Sequence, residues 1–345
     1  MTTKTLLQQR LLHQQLASPA FDTPQAVVQY LGAVQAQDYD MSKWAVGQRV
    51  QNCHAAIVEA AINEGHIIRT HVLRPTWHLV SPEDLRWMLA LTAPYIKKRN
   101  VHYEKKLELD DAFFRKSNQL ICKALAGKHL ARNEIKAVLD KAGIKSDPLR
   151  LVHIMIRPEL EGLICSGARK GKQTTYALAD ERLPPVKAIS REEALANLAL
   201  RYFTSHGPAT LKDFAWWSGL PITVAREGLA AVQQELEQEQ EYFFKAHSGK
   251  ATPNIYLLPN YDEYLVAYAD RAALHHAGNE DKMQRSAPFF DNTIIIDGQV
   301  AGTWKREVKK DEIKVSLHPF GKLSATQENK LKKAEKAYIR FMHSA

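Results

Sequence analysis

The sequence predicts a mainly α-helical protein with short β wings: three winged-helix units in tandem, then a β-rich C-terminal segment. Three observations predict it. Helical stretches are followed by short extended segments about a turn, first over residues 54–80 and again over residues 130–178. A helix, tight glycine turn, helix pattern occupies residues 210–235, which is the helix-turn-helix signature. Asp297-Gly298 separates two apolar β runs, and such a pair suits a two-residue hairpin turn in which both positions take positive φ. The copies share element order rather than residue identity. The expected boundaries are 1–95 for the first unit, 96–188 for linker helices and the second, 189–252 for the third, and 253–345 for the β-rich segment with a basic terminal helix.

Taken in order, Leu6, Leu7, Leu11, Leu12 and Leu16 recur at helical spacing. Asp22-Thr23-Pro24 supplies a cap and an N-terminal proline for a second helix through Val27, Val28, Tyr30, Leu31 and Val34. A helix over 54–64 stops at Gly65, and residues 67–72 and 76–80 make two β segments about Pro75. Residues 130–142 form a helix stopped by Gly143, and another runs from Asp147-Pro148 to Leu160, where Pro158 is expected to kink or break it. A hairpin follows over 162–166 and 173–178, with Arg169, Lys170 and Lys172 at its tip. The helix over 192–203 breaks at Gly207-Pro208, Thr210 to Asp213 is a capping pattern, and Pro221 starts a helix to about Glu235. Residues 254–259, 293–304 and 313–317 are β segments, and the lysines of 330–336 lie on a solvated helix face.

With 345 residues and 45% hydrophobic composition the chain is long enough for two or three packed domains. Its 47 Lys and Arg against 38 Asp and Glu leave a net charge of +9, which favours a polyanionic partner. From Thr303 onward there are eleven Lys and Arg against five Asp and Glu, so six of that excess lie in the last eighth of the chain. Cys53, Cys122 and Cys165 are odd in number and lack C-x-x-C spacing, as reduced thiols of a cytoplasmic protein would be, and no structural zinc is expected. No apolar run reaches membrane-spanning length. G-x-S-x-G, P-loop, dinucleotide-binding and H-E-x-x-H patterns are absent, so neither a metal nor an organic cofactor is expected.

Gln35-Ala36-Gln37 closes a helical stretch. Residues two apart point to different sides of a helix but to the same side of an extended chain, so the two amides converge only if the helix ends there. On the residues alone they read as surface amides at a helix terminus.

The segments VQAQ at 34–37, RTHVLRPTWHLV at 69–80, HGPATLKDFAWWSG at 206–219, LLPNYDEY at 257–264 and GTWKR at 302–306 together resemble the bacterial winged-helix DNA glycosylases of the AlkZ/YcaQ type, in order and spacing over about residues 10–320. The resemblance implies tandem winged helices in a C-shaped molecule that clasps duplex DNA as a monomer. The implied reaction is monofunctional hydrolysis of the N-glycosidic bond of N-alkylated purines, with bulky adducts or interstrand crosslinks in the range of some members. It also makes Gln35 and Gln37 the catalytic pair. An N-alkylated purine is already cationic and leaves readily, so two carboxamide oxygens suffice to hold a water opposite an oxocarbenium-like sugar. Candidate DNA contacts are Arg69 and Arg74 at the first hairpin, either as phosphate ligands or as exposed strand-end cations, and His78 facing the DNA beside a packed Trp77. Arg169, Lys170, Lys172, Lys305, Arg306 and His318 complete the set. Asp262 and Asp270-Arg271 read as a buried ion pair that shapes the sheet. The alternative function is a non-enzymatic winged-helix DNA-binding protein or regulator.

Overall fold

The structure, a computed structural model, describes residues 1–247, 249, 251–252, 254–275, 291–309 and 312–343. Helix α1 (Thr3–His13) is capped by Thr2 and α2 (Pro24–Leu31) by Thr23, with Pro24 in its first turn. The second helix does not continue through Val34 as the apolar spacing suggested. It stops at Gly32, whose φ of 80° only glycine adopts easily. Val34–Gln35 then forms strand β1, followed by α3 (Tyr39–Gly47), α4 (Ala55–Glu64), β2 (Ile68–His71) and β3 (Trp77–Val80). The sheet order is β1-β3-β2, with Val34 opposite Leu79 and Gln35 opposite His78.

After the long helix α5 (Leu85–Lys106) the same order recurs: α6 (Asp111–Leu125), β4 (Leu130–Ala131), α7 (Arg132–Lys141), α8 (Pro148–Leu160), β5 (Ile164–Lys170) and β6 (Gln173–Leu178), in a sheet ordered β4-β6-β5. Pro158 lies in the last turn of α8 and does not break it, although it forfeits its own intrahelical bond. The short α9 (Ala179–Arg182) leads to a third run: α10 (Arg191–Ser205), α11 (Leu211–Ser218), α12 (Ile222–Val232), β7 (Glu237–Glu239) and β8 (Tyr242–Phe244). Here the short strand is reduced to a bridge between Ala209 and Phe243. The expected capping box is present, with Thr210 and Asp213 exchanging bonds of 3.2 and 2.9 Å, and Gly219 makes the turn at φ 72°.

The C-terminal segment comprises β9 (Ile255–Leu258), α13 (Glu263–Val266), β10 (Thr293–Ile296), β11 (Gln299–Lys309), β12 (Glu312–Pro319) and a final helix α14 (Ala325–His343), with sheet order β12-β11-β10-β9. Asp297 and Gly298 turn β10 into β11 at φ 51° and 89°, as their identity predicted. On α14, Lys332, Lys333 and Lys336 are exposed.

This segment closes on the first unit. Val34 and Leu79 share one core with Leu257, Ile294, Trp304, Tyr338 and Phe341. The Trp44 indole donates to the Leu257 carbonyl at 2.7 Å, and a Cβ on Gly47 would stand 2.2 Å from the Phe341 ring. The two ends of the sequence therefore support β1 together. Among the described residues no helix is long and apolar enough to cross a membrane.

Candidate active site

Gln35 ends the strand that replaces the end of the expected helix, and Gln37 lies in the bend just after it. Three main-chain groups of the segment are tied down. The Gln35 N–H donates to Glu263 Oε1 at 2.7 Å, the Ala36 N–H to the Trp77 carbonyl at 2.7 Å, and the Ala36 carbonyl accepts from Arg69 Nε and Nη2 at 3.1 and 2.9 Å. The side chains address the turn between β2 and β3. Gln35 Oε1 accepts from Arg74 Nη2 at 3.1 Å, and Gln37 Oε1 faces the Trp77 N–H at 3.4 Å. Each amide oxygen keeps a second lone pair. Gln37 is exposed, whereas Gln35 is buried against the protein and lines a cavity.

That cavity, of about 830 Å³, lies between the first unit and the helices α11 and α12. Arg74, Arg99, Lys212 and Arg271 line it, and no carboxylate does among the described residues. Arg74 holds a left-handed φ of 53°, a conformation uncommon outside glycine. It is backed by the Gly219 turn, where a Cβ would come within 3.1 Å of the Arg74 side chain. Trp216 and Ile222 supply exposed apolar surface. The Trp216 ring is fixed by its Nε1–H to the Val266 carbonyl at 2.9 Å, with the Arg271 guanidinium 5.2 Å from its centre.

Behind the site lies a dense buried polar layer. Arg49 and Asp262 pair through two bonds of 2.9 and 2.7 Å, and Arg49 also donates to the Gln14 and Ala45 carbonyls. The partner of Asp262 is thus Arg49 and not Arg271, because Asp270 instead caps the Ala272 N–H locally while Arg271 turns into the cavity. Among the described residues no three His, Cys, Asp or Glu side chains are grouped as a metal would require. Cys165 is a buried core residue, and burial pushes its thiol up to about 12.

Residues 28–341, which include both glutamines, match the protein family described as DNA glycosylase AlkZ-like. This chain belongs to that family.

The AlkZ-like chain is 22% identical over 314 residues to a Streptomyces sahachiroi protein named "Interstrand DNA cross-link repair glycosylase", covering 85% of this chain and 84% of that one. Its fold matches the solved structure of Streptomyces sahachiroi DNA glycosylase AlkZ with a TM-score of 0.79 at 19% identity, over 99% of this chain and 97% of the other. Family membership makes the protein a DNA glycosylase and displaces the reading as a non-enzymatic regulator.

In this glycosylase the candidate DNA contacts divide. Arg69 is 8% exposed and holds the Ala36 carbonyl while its guanidinium packs 4.1 Å from the Trp77 ring centre. It is neither an exposed strand-end cation nor placed to take a phosphate. His78 does not face outward either: it is fully buried, and burial, then the charge of Arg74, pushes its imidazole down to about 3. The alternation along β3 places the buried face on the other side: His78 shares its row with its register partners Gln35 and Thr70, both buried, whereas Trp77 is only partly buried. Arg169 lies in β5 and not at the tip, 3.2 Å from Glu59 and 3.8 Å from Asp40. Lys170 pairs with Glu134 at 3.2 Å. Arg306 reaches Asp40 at 3.7 Å and is 18% exposed. Arg74 lines the cavity, and Lys172, Lys305 and His318 are exposed. Sequence reasoning missed Glu263, Trp216, Arg99 and Lys212. Only the acidic residue inside the LLPNYDEY segment offered a signal, since a carboxylate in an apolar run is out of place unless paired.

Proposed function

We propose that this AlkZ-like glycosylase hydrolyses the N-glycosidic bond of N-alkylated purines in duplex DNA, bulky adducts and interstrand crosslinks among them. The observation that carries the reading is the Gln35-Ala36-Gln37 segment, pinned at Gln35 and Ala36, with Gln35 lining a cavity that four cations and two aromatic side chains, Trp216 and Tyr261, also line. The cationic base leaves without needing strong protonation, and the sugar develops oxocarbenium character. The carboxamide oxygens of Gln35 and Gln37 hold a water on its opposite face and add negative dipole where positive charge forms. The product is a free base and an abasic site, with no strand cleavage.

The thrice-repeated order of helix, short strand, two helices and hairpin supports tandem winged-helix units, here assigned to residues 1–95, 96–188 and 189–252, with 253–345 closing a C-shaped clasp. The enzyme acts as a cytoplasmic monomer. Arg74, Lys172, Lys305 and His318, with Arg99, Lys212 and Arg271 added, contact the DNA.

The test is incubation of the protein with duplexes carrying N7-methylguanine, a bulky N-aryl-alkyl purine, or an interstrand crosslink. Release of free modified base from at least one is expected. Release from none overturns the substrate assignment.

A further inference from the structure

Glu263 opens α13 behind β1 and is fully buried. A carboxylate persists in such a place only if its oxygens are satisfied and its charge is balanced. Oε1 accepts the Gln35 N–H at 2.7 Å, while Oε2 accepts the Trp217 indole N–H at 2.9 Å and lies 3.4 Å from His206 Nε2. Burial pushes the carboxyl up, but its contact with His206, then the charge of Arg74 and the Gln35 N–H, outweigh it and hold the group below its usual range, while burial pushes the His206 imidazole itself down. Glu263 is therefore an anion at neutral pH.

On the other side of Gln35 stands Arg74, which fixes the amide and lines the cavity. Of the four cations that line it, Arg74 is the one bonded to Gln35, and a fixed positive charge at that amide, unlike one placed for a phosphate, opposes a sugar that becomes cationic in the transition state. Glu263 does not line the cavity, so it acts through its neighbours and not on the substrate.

We propose that Glu263 is a positioning residue whose charge offsets Arg74, so that Arg74 orients Gln35 without opposing the sugar cation. The proposal rests on Gln35 facing the sugar. No bond or proton moves at Glu263. A unit charge about 10 Å from the sugar, at an effective dielectric of about 20, changes the affinity for a cation on the order of tenfold.

The probes are two duplexes, one with a pyrrolidine abasic analogue that is cationic at the sugar and one with neutral tetrahydrofuran. The readout is the ratio of affinities, cationic over neutral. Glu263→Gln is expected to lower that ratio on the order of tenfold, Glu263→Asp to retain most of it, and Arg74→Met to raise it. The double variant returns the ratio to within about threefold of wild type, because charge is again balanced. An unchanged ratio in Glu263→Gln, including loss of both affinities in parallel as for a structural prop, overturns the proposal. So does a double variant whose ratio stays where Glu263→Gln alone left it. Should Glu263→Gln alone not fold, the double variant is compared with Arg74→Met: a ratio lower on the order of tenfold is expected, and an equal ratio overturns the proposal. Neither probe carries a base, so failure to release any alkylpurine with the ratio shifts intact overturns the substrate reading alone.

Discussion

The hairpin of β2 and β3 and the hairpin of β5 and β6 stand at the same place in the same order of elements, yet only the second carries a cation, Lys172, out to solvent at its tip. In the first, all of β2 is buried, and Arg69 and Arg74 bond to Ala36 and Gln35. In the second, the strands run out to an exposed tip at Gly171-Lys172, with Lys170 beside the tip paired to Glu134 and Arg169 behind it held by Glu59. The first hairpin is enclosed because β1 pairs with it and its residues join a core with α5, α10 and α11. Element order therefore does not decide whether a hairpin is scaffold or contact surface; what packs on it does.

The largest expected effect lies in the scaffold hairpin. Arg69→Ala leaves the buried Ala36 carbonyl without its two donors and strips Trp77 of its cation, which costs about 3 kcal/mol. Urea denaturation measures it, and an unchanged midpoint would break the inward reading of that hairpin. Acid comes next. His78 is held down to about 3 by burial and Arg74, and His13 to about 4 by burial. Each stays neutral in the folded state while the unfolded chain takes up a proton below about pH 6.5, so stability is full above that pH and falls as pH drops toward 4. At pH 5 each histidine costs about 2 kcal/mol, and His78→Asn should flatten the acid limb by about one proton.

The outer hairpins yield smaller changes. Lys172→Ala and Lys305→Ala should each lower the slope of log affinity against log salt by about 0.9 with stability unchanged. Arg169→Ala should leave that slope alone and cost about 1 kcal/mol or less, as an ion pair near the surface does. If Arg169→Ala lowers the slope as Lys172→Ala does, Glu59 and Asp40 do not withhold it from DNA, and the distinction between Arg169 and the tip falls.

Features set by neighbours in the chain were legible. Thr23-Pro24, the Thr210 to Asp213 box, Gly65 and Asp297-Gly298 each impose a backbone geometry without help from distant residues. Strand β1 was not legible, since two residues carry no periodicity and Val34-Gln35 becomes a strand only by pairing with His78 and Leu79. Arg69, His78 and Glu263 were misread or missed for a related reason: polar and charged residues belong outside by default, and the partners that permit their burial are distant in sequence. The Gln-x-Gln pair was visible, but the cavity beside it is assembled from α5, α11, α12 and the loop after β9.

The central claim is that the two amides perform the hydrolysis. Single-turnover release of N7-methylguanine from duplex DNA by Gln35→Ala and Gln37→Ala, with DNA affinity measured alongside, tests it most directly. A rate loss on the order of 100-fold or more in each variant, with affinity held within about threefold, is the expected result. An unchanged rate, or a loss accounted for entirely by weaker binding, would contradict it.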